Sequence, residues 1–275
     1  MKAAGALLEA FWSWMPAPPL EARGYAGGTF PTKNRLLFQT LERDSEHMKG
    51  HDALGEAEIV AAICALDWQG LTRAELMDAM WAYYFFSIQF RENLLVARAL
   101  FPGDAKLKAL ESEECDTANL SPYPGVADED ERLNHDEFMR RAIGLVPMDA
   151  RRSREIRRHG TRYLEAVRRS DPDARALSIA SYERGGLEQV FRAILTAPHW
   201  DNPALAAFHH FLRGHLQLDD HHGSLVGHLN TQEKAAPLWL LFHDLLLDCV
   251  PCFARAKQAE ALPALIVCMP AAAQV

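Results

Sequence analysis

The stretch FLRGHLQLDDHHGSLVGHL, residues 211–229, is helical in pattern yet carries four histidines and two adjacent aspartates. His215, Asp219 and His222 are spaced by four and three residues, which puts them within roughly 60° of arc on one face of a helix. Imidazoles together with a carboxylate form a ligand set that suits iron, manganese or zinc. The alternative is a surface helix with solvated histidines, and this stretch alone does not decide between the two.

A second candidate ligand is His135 in ERLNHDEF, which lies among apolar residues. Glu131 precedes it by four residues and Asp128 by seven, so either carboxylate would share its face if the segment is helical. Glu129 is a third candidate acid. The alternative is that these acids occupy the first turn of a helix, where negative charge favours the helix dipole.

A third candidate is Glu183 in SIASYERGG, which follows an apolar run at a spacing that turns it inward. A lone buried carboxylate is costly. Gly185 and Gly186 would weaken an ordinary helix, so they indicate either room for a ligand or a local helix distortion. The alternatives are an exposed, ion-paired Glu183, or Glu188 as the inward carboxylate.

The elements that must position these residues are helices. Apolar residues recur every three or four positions along most of the chain, and almost no segment alternates with a period of two. The pattern predicts a short helix from residue 105 and longer ones over 31–48, 55–66, 72–99, 128–144, 149–169, 173–197, 203–228 and 231–256. We expect an all-α bundle of about seven or more helices. We expect residues 1–30 to form an N-terminal extension with a loop, and residues 31–275 to form a single domain.

Composition limits the classes of partner. The chain has 275 residues, a formal net charge of −8 and a pI near 5.8, which disfavours nucleic acid and anionic membranes as partners. No apolar run approaches the roughly 20 residues of a membrane span. Five scattered cysteines suit a reducing cytoplasm. We expect a cytoplasmic protein with a small-molecule substrate, and the apolar N-terminal segment could dock on a second copy to form a homodimer.

Three motifs resemble the heme-oxygenase-like diiron oxidases and oxygenases. HLQLDDHHG is similar to their H-x3-D-x2-H signature, ERLNHDEFMRRAIGL to their Glu-then-His helix, and YERGGLEQVF to their mid-chain Glu helix. The resemblance covers about residues 72–255, which we expect to form the metal-site core. It departs from the family pattern at the first acid, because Asp128, Glu129 and Glu131 compete for that position.

The resemblance implies two Fe(II) ions with O₂ as co-substrate, and the ligand types also suit manganese. It assigns three ligands to each ion: Glu131, His135 and His215 to the first, and Glu183, Asp219 and His222 to the second. The implied activity is oxidation or oxygenation of a small, amino-acid-derived substrate in specialised metabolite biosynthesis, by N-oxygenation or by oxidative C–C or C–N cleavage. Arg184 or Arg213 could bind a substrate carboxylate through two hydrogen bonds.

Two other classes of function stay open from the sequence. The first is a metal-independent enzyme of the same fold, either a cofactor-free oxidase or a thiaminase-like hydrolase, for which Cys249 beside Asp248 is the candidate nucleophile. The second is a non-catalytic helical binding protein whose histidines are incidental. Cys249 and Cys252 have CxxC spacing, but a zinc or redox site would need a second such pair or a βαβ context.

Overall fold

The computed structural model of the protein describes residues 54–115, 122–216 and 234–255. These residues form nine α-helices, with an isolated β-bridge between Tyr123 and Ala127 and no β-strand. The helices are α1 Glu56–Cys64, α2 Arg73–Leu100, α3 Ala105–Cys115, α4 His135–Gly144, α5 Ala150–Arg169, α6 Pro172–Ser181, α7 Leu187–Ile194, α8 Pro203–His215 and α9 Ala236–Cys249. The predicted all-α bundle of about seven or more helices is confirmed. The predicted helix over 31–48 lies outside the described residues, as do Asp219 and His222.

Helix α2 is the central element of the bundle. The Thr72 side chain accepts a hydrogen bond from the Glu75 amide, and Glu75 bonds back to the Thr72 amide, so the helix begins with a capping box. Its 28 residues include a buried aromatic run around Tyr83. It packs against α3, α4, α5, α6, α8 and α9. Described helices that are far apart along the chain, from α3 to α9, are therefore packed against one central helix.

The predicted helix over 128–144 is wrong in its first half. Helix α4 begins only at His135, because the Asn134 side chain accepts a hydrogen bond from the Glu137 amide and caps the helix there. Residues before this cap form turns, so Asp128 and Glu131 do not share a helix with His135. Glu131 instead lies in the segment that leads into α4.

The predicted helix over 173–197 is interrupted by a π-helical turn, Tyr182–Gly186, that joins α6 to α7. The amide of Leu187 bonds to the carbonyl of Tyr182, and Gly185 has a φ of 95°, which a residue with a Cβ rarely adopts. The helix distortion expected at the glycine pair is confirmed.

Within the described residues, no helix is both long enough and apolar enough to cross a bilayer.

Gly160 sets the closest approach of α5 to α2. A Cβ at this position would overlap the ring of Phe85, which is only 3% exposed and cannot move freely. We therefore expect Gly160→Ala to lower the free energy of unfolding by about 1–3 kcal/mol, although alanine is the better helix former. Urea denaturation measures this. Gly144→Ala is the matched control, because a Cβ there meets nothing within 4 Å; equal effects of the two substitutions would contradict the packing argument.

Candidate metal centre

Three side chains from three helices meet in the interior of the bundle. Glu114 comes from α3, His135 from α4 and His215 from α8, and one ligand atom of each lies within 4.8 Å of the other two. The three residues are 5%, 8% and 7% exposed, respectively. This group, the Glu–His–His cluster, is the arrangement among the described residues that could hold a metal ion.

The contacts within the cluster are short. The Oε2 atom of Glu114 lies 2.6 Å from Nδ1 of His135, and Nε2 of His215 lies 3.2 Å from the same nitrogen. One ring nitrogen of His135 thus faces both a carboxylate oxygen and a second imidazole nitrogen. A single proton on Nδ1 can form a well-aligned hydrogen bond with only one of these two acceptors. A cation would instead contact all three atoms at once.

Local structure fixes the orientation of His215. Its Nδ1 lies 2.8 Å from the carbonyl oxygen of Phe211, one turn earlier in α8. A carbonyl only accepts, so Nδ1 carries the proton and donates it, and Nε2 presents its lone pair to Nδ1 of His135. Metal-binding histidines in proteins are commonly held in this way, through a hydrogen bond from the second ring nitrogen.

Two of the three helix ends at the cluster favour a positive charge. Glu114 and His215 both lie in the last turn of their helices, where the helix dipole is negative, whereas His135 is the first residue of α4, at the positive end of its dipole. The ring of Phe211 is 4.2 Å from that of His215, centroid to centroid, and the ring of Phe191 is 5.5 Å away. A carboxylate buried among aromatic rings is stabilised by a cation or by hydrogen-bond donors beside it. An imidazolium or a metal ion beside Glu114 would meet this requirement.

The residues fit a metal ion by donor type and by spacing. Two imidazoles and one carboxylate are the protein ligands of many non-heme Fe(II) oxygenases. Adjacent ligands on an ion with bonds of about 2.1 Å lie about 3 Å apart, close to the 3.2 Å between the two imidazole nitrogens. The 2.6 Å between Oε2 of Glu114 and Nδ1 of His135 is a hydrogen-bond distance, and it would have to lengthen for both atoms to bind one ion. Manganese and zinc accept the same donors, so the geometry selects a class of ion and not one element.

The predicted ligands fall in different places. His135 and His215 lie together in the cluster, while Glu183 is buried on the π-helical turn, 9% exposed, and is not one of the three clustered residues. Glu131 forms two hydrogen bonds with the Arg141 guanidinium, at 2.7 and 2.8 Å, which lower the pKa of its carboxyl group. Asp128 and Glu129 are exposed.

Glu114 was not predicted, although the sequence contains a signal for it. Leu107 and Leu110 are both fully buried, and Glu114 follows them at spacings of seven and four residues. These positions lie on one face of α3. Glu113 lies off this face, but Glu111 follows Leu107 by four residues, so the apolar stripe alone does not separate Glu111 from Glu114. In the fold Glu114 is buried and Glu111 is only partly buried.

The two arginines proposed for substrate binding are both exposed. Arg184 lines a surface cleft of about 170 Å³, together with Glu56, Ser181 and Gln189. None of the three clustered residues lines this cleft. Arg213 lies on α8, two residues before His215.

Cys249 does not have the properties of a nucleophile. Its side chain is 0% exposed, and burial raises the pKa of its thiol to about 12. Because only the thiolate reacts, we expect Cys249 to be alkylated by iodoacetamide at pH 7 at least about 100-fold more slowly in the native protein than after denaturation. Mass spectrometry of the Cys249 peptide measures this rate, and fast native alkylation would restore the nucleophile hypothesis.

Comparisons with protein-family models, with curated proteins and with solved structures give no match for this chain. The likeness to the diiron oxidases therefore rests on the three motifs quoted above.

Proposed function

We propose that the chain is a non-heme iron enzyme that uses O₂ to oxidise or oxygenate a small, amino-acid-derived substrate. The observation that carries this proposal is the Glu–His–His cluster, because its donor set, burial and spacing suit a ferrous ion. Iron bound there would supply the binding of O₂ and the transfer of electrons to it. The protein supplies the ligands, their orientation and a site from which water is excluded.

Each clustered residue has a distinct task in this proposal. The Glu114 carboxylate offsets part of the charge of the ion, and the His215 imidazole is held by the Phe211 carbonyl with its Nε2 directed inward. His135 is placed by the Asn134 cap at the start of α4. Phe191 and Phe211 cover the cluster with apolar surface, which strengthens electrostatic interactions inside it.

A second iron is proposed from the resemblance, with Glu183, Asp219 and His222 as its ligands. This second site is supported by the position of Glu183, a buried carboxylate on a distorted turn. Such local distortions of a helix occur frequently at functional sites. Its other two ligands follow His215 along the chain at the spacing of one helix face. A count of bound metal distinguishes one ion per chain from two.

For the substrate, we propose that Arg184 or Arg213 binds a carboxylate of an amino-acid-derived molecule. Arg213 lies two residues before His215, and Arg184 directly follows Glu183, the proposed ligand of the second iron. A guanidinium can donate two parallel hydrogen bonds to a carboxylate, which fixes both its position and its orientation. Glu56 lines the same surface cleft as Arg184. Its negative charge is what recognition of a substrate ammonium group would require.

The test is oxygen consumption by protein loaded anaerobically with ferrous ion. We expect two equivalents of ferrous ion to bind per chain and O₂ to be taken up rapidly when air is admitted. We expect slower O₂ uptake or none when the protein is loaded with zinc instead. Two equivalents of tightly bound metal without O₂ uptake would exclude the oxidase proposal. An activity that persists in chelator would favour a metal-independent enzyme, and a protein that binds no metal and consumes no O₂ would favour a binding protein.

The identity of the first carboxylate ligand is tested by two substitutions of the same kind. We expect Glu114→Gln to weaken ferrous binding by about 10- to 100-fold, since the amide keeps an oxygen donor but loses the charge. We expect Glu131→Gln to change it less than twofold, because Glu131 binds Arg141 in a turn. Chelator competition measures both affinities. The opposite ranking would favour Glu131 as the ligand.

A further inference from the structure

The π-helical turn is anchored on both sides of Glu183. The residue before it, Tyr182, is buried, and its hydroxyl accepts a hydrogen bond from the side-chain amide of Gln89 on α2. On the other side, Gly186 packs so closely against Trp239 on α9 that a Cβ would lie 2.8 Å from a ring carbon. Two separate helices therefore hold the backbone that carries this buried carboxylate.

The contact between Tyr182 and Gln89 belongs to a polar network in the interior of the bundle. The side-chain carbonyl oxygen of Gln89 accepts a hydrogen bond from the hydroxyl of Tyr163 on α5. Both groups of this amide thus have partners, which a fully buried amide requires. One turn further along α2, the side-chain amide of Asn93 donates to the hydroxyl of Ser178 on α6, at 3.1 Å. Two polar contacts, one helical turn apart, thus set the position of α6 and its following turn along α2.

The turn and the network place polar groups where an ordinary joint between two helices needs none. Burying amides and hydroxyls costs free energy that their hydrogen bonds only offset, and most of the buried residues of α2 are apolar. Irregular helical turns such as this one, with Gly185 at positive φ, are frequent at functional sites. The irregular turn and the network meet at the backbone of Glu183, next to Tyr182.

We propose that Tyr182 is a positioning residue, whose hydrogen bond with Gln89 holds the turn and keeps the Glu183 carboxylate in its buried orientation. This role rests on the proposed function, in which Glu183 is a ligand of the second iron. Hydrogen bonds outside the ligand set orient metal ligands and hold them in place before the ion binds. Burial raises the pKa of the Tyr182 hydroxyl, so the group is neutral at pH 7 and acts through its hydrogen bond.

The experiment compares two phenylalanine substitutions that each remove one hydrogen bond with Gln89. Tyr182→Phe removes the bond at the turn, and Tyr163→Phe, the matched control, removes the bond on the other side of the same amide. The reporter is hydrogen exchange at the Leu187 amide, which bonds to the Tyr182 carbonyl and closes the turn. Relative to amides in the middle of α2, we expect this exchange to become about tenfold faster in metal-free Tyr182→Phe and to change less than about twofold in Tyr163→Phe.

The comparison with α2 separates local loosening of the turn from a general loss of stability. A less stable bundle exposes its buried amides together, so exchange at Leu187 and in α2 would rise in parallel. The same relative exchange at Leu187 in the two variants would overturn the proposal.

A second readout is the affinity for ferrous ion, measured by chelator competition. Where the unmodified protein binds two ions, we expect Tyr182→Phe to weaken the second by about tenfold or more and Tyr163→Phe by less than about twofold. Undiminished affinity of Tyr182→Phe for the second ion would also overturn the proposal. Binding of fewer than two ions by the unmodified protein would instead contradict the second iron of the proposed function, and the exchange comparison would still decide whether Tyr182 holds the turn.

Discussion

Replacing His215 by alanine is expected to lower the affinity of the protein for ferrous ion by more than about 100-fold. The substitution removes one of the three donors of the Glu–His–His cluster, and it removes the donor whose orientation is fixed by the Phe211 carbonyl. Loss of an outer-shell partner alone commonly costs 10- to 100-fold in metal affinity, so loss of a ligand should cost more. Anaerobic competition with a chromogenic chelator measures the change.

The control is His209→Ala, on the same helix. The His209 ring contacts that of Trp200, at a centroid distance of 4.9 Å, and His209 is not part of the cluster. A second readout separates metal loss from misfolding: ferrous ion at 100 times the Kd of the unmodified protein should stabilise that protein by about 2.7 kcal/mol and His215→Ala by less than about 0.4 kcal/mol. Metal affinity that survives His215→Ala would show that the ion is held elsewhere.

The largest expected effect on stability is that of Phe211→Ala. The Phe211 ring is 0% exposed and packs against Tyr83 and Phe138 as well as both clustered histidines. Truncation leaves a cavity bounded by rigid rings, which cannot collapse to fill it. We expect the free energy of unfolding to fall by about 3–5 kcal/mol in urea denaturation.

Phe101→Ala is the matched control, since that ring is 37% exposed and should cost less than about 1 kcal/mol. The backbone carbonyl of residue 211 survives the substitution, so the hydrogen bond that orients His215 is retained. Metal affinity should therefore fall less in Phe211→Ala than in His215→Ala. A loss of stability no greater than that of Phe101→Ala would contradict the packing described for the cluster.

Sequence periodicity was sufficient to predict most of the fold. Helix α2 was expected over 72–99 and spans Arg73–Leu100, because a long apolar pattern and a strong N-cap act together. The start of α4 was not predicted correctly, since two adjacent segments both contain acids suited to a first turn. Which segment begins the helix depends on the Asn134 cap and on the Glu131–Arg141 contact. The Glu131–Arg141 contact is a tertiary interaction that sequence periodicity does not reveal.

The site was less predictable than the fold. His135 and His215 were singled out because imidazoles among apolar residues need partners, and the structure places them together. Their carboxylate comes from α3, a weakly amphipathic helix in which several glutamates compete. A contact between residues 114 and 135 depends on how the two helices pack on α2, and no local rule specifies that packing.

The π-helical turn has a consequence for how the two halves of the helical segment 172–194 are oriented. Arg184 and Gly185 have non-helical backbone angles, so this turn is a kink between two helices. Helix α6 can therefore pack against α2 while α7, which follows the kink, faces α1 and α8. Deleting Gly185 would remove the positive-φ residue on which the kink depends, and it would change the direction in which α7 places the ring of Phe191 beside His215.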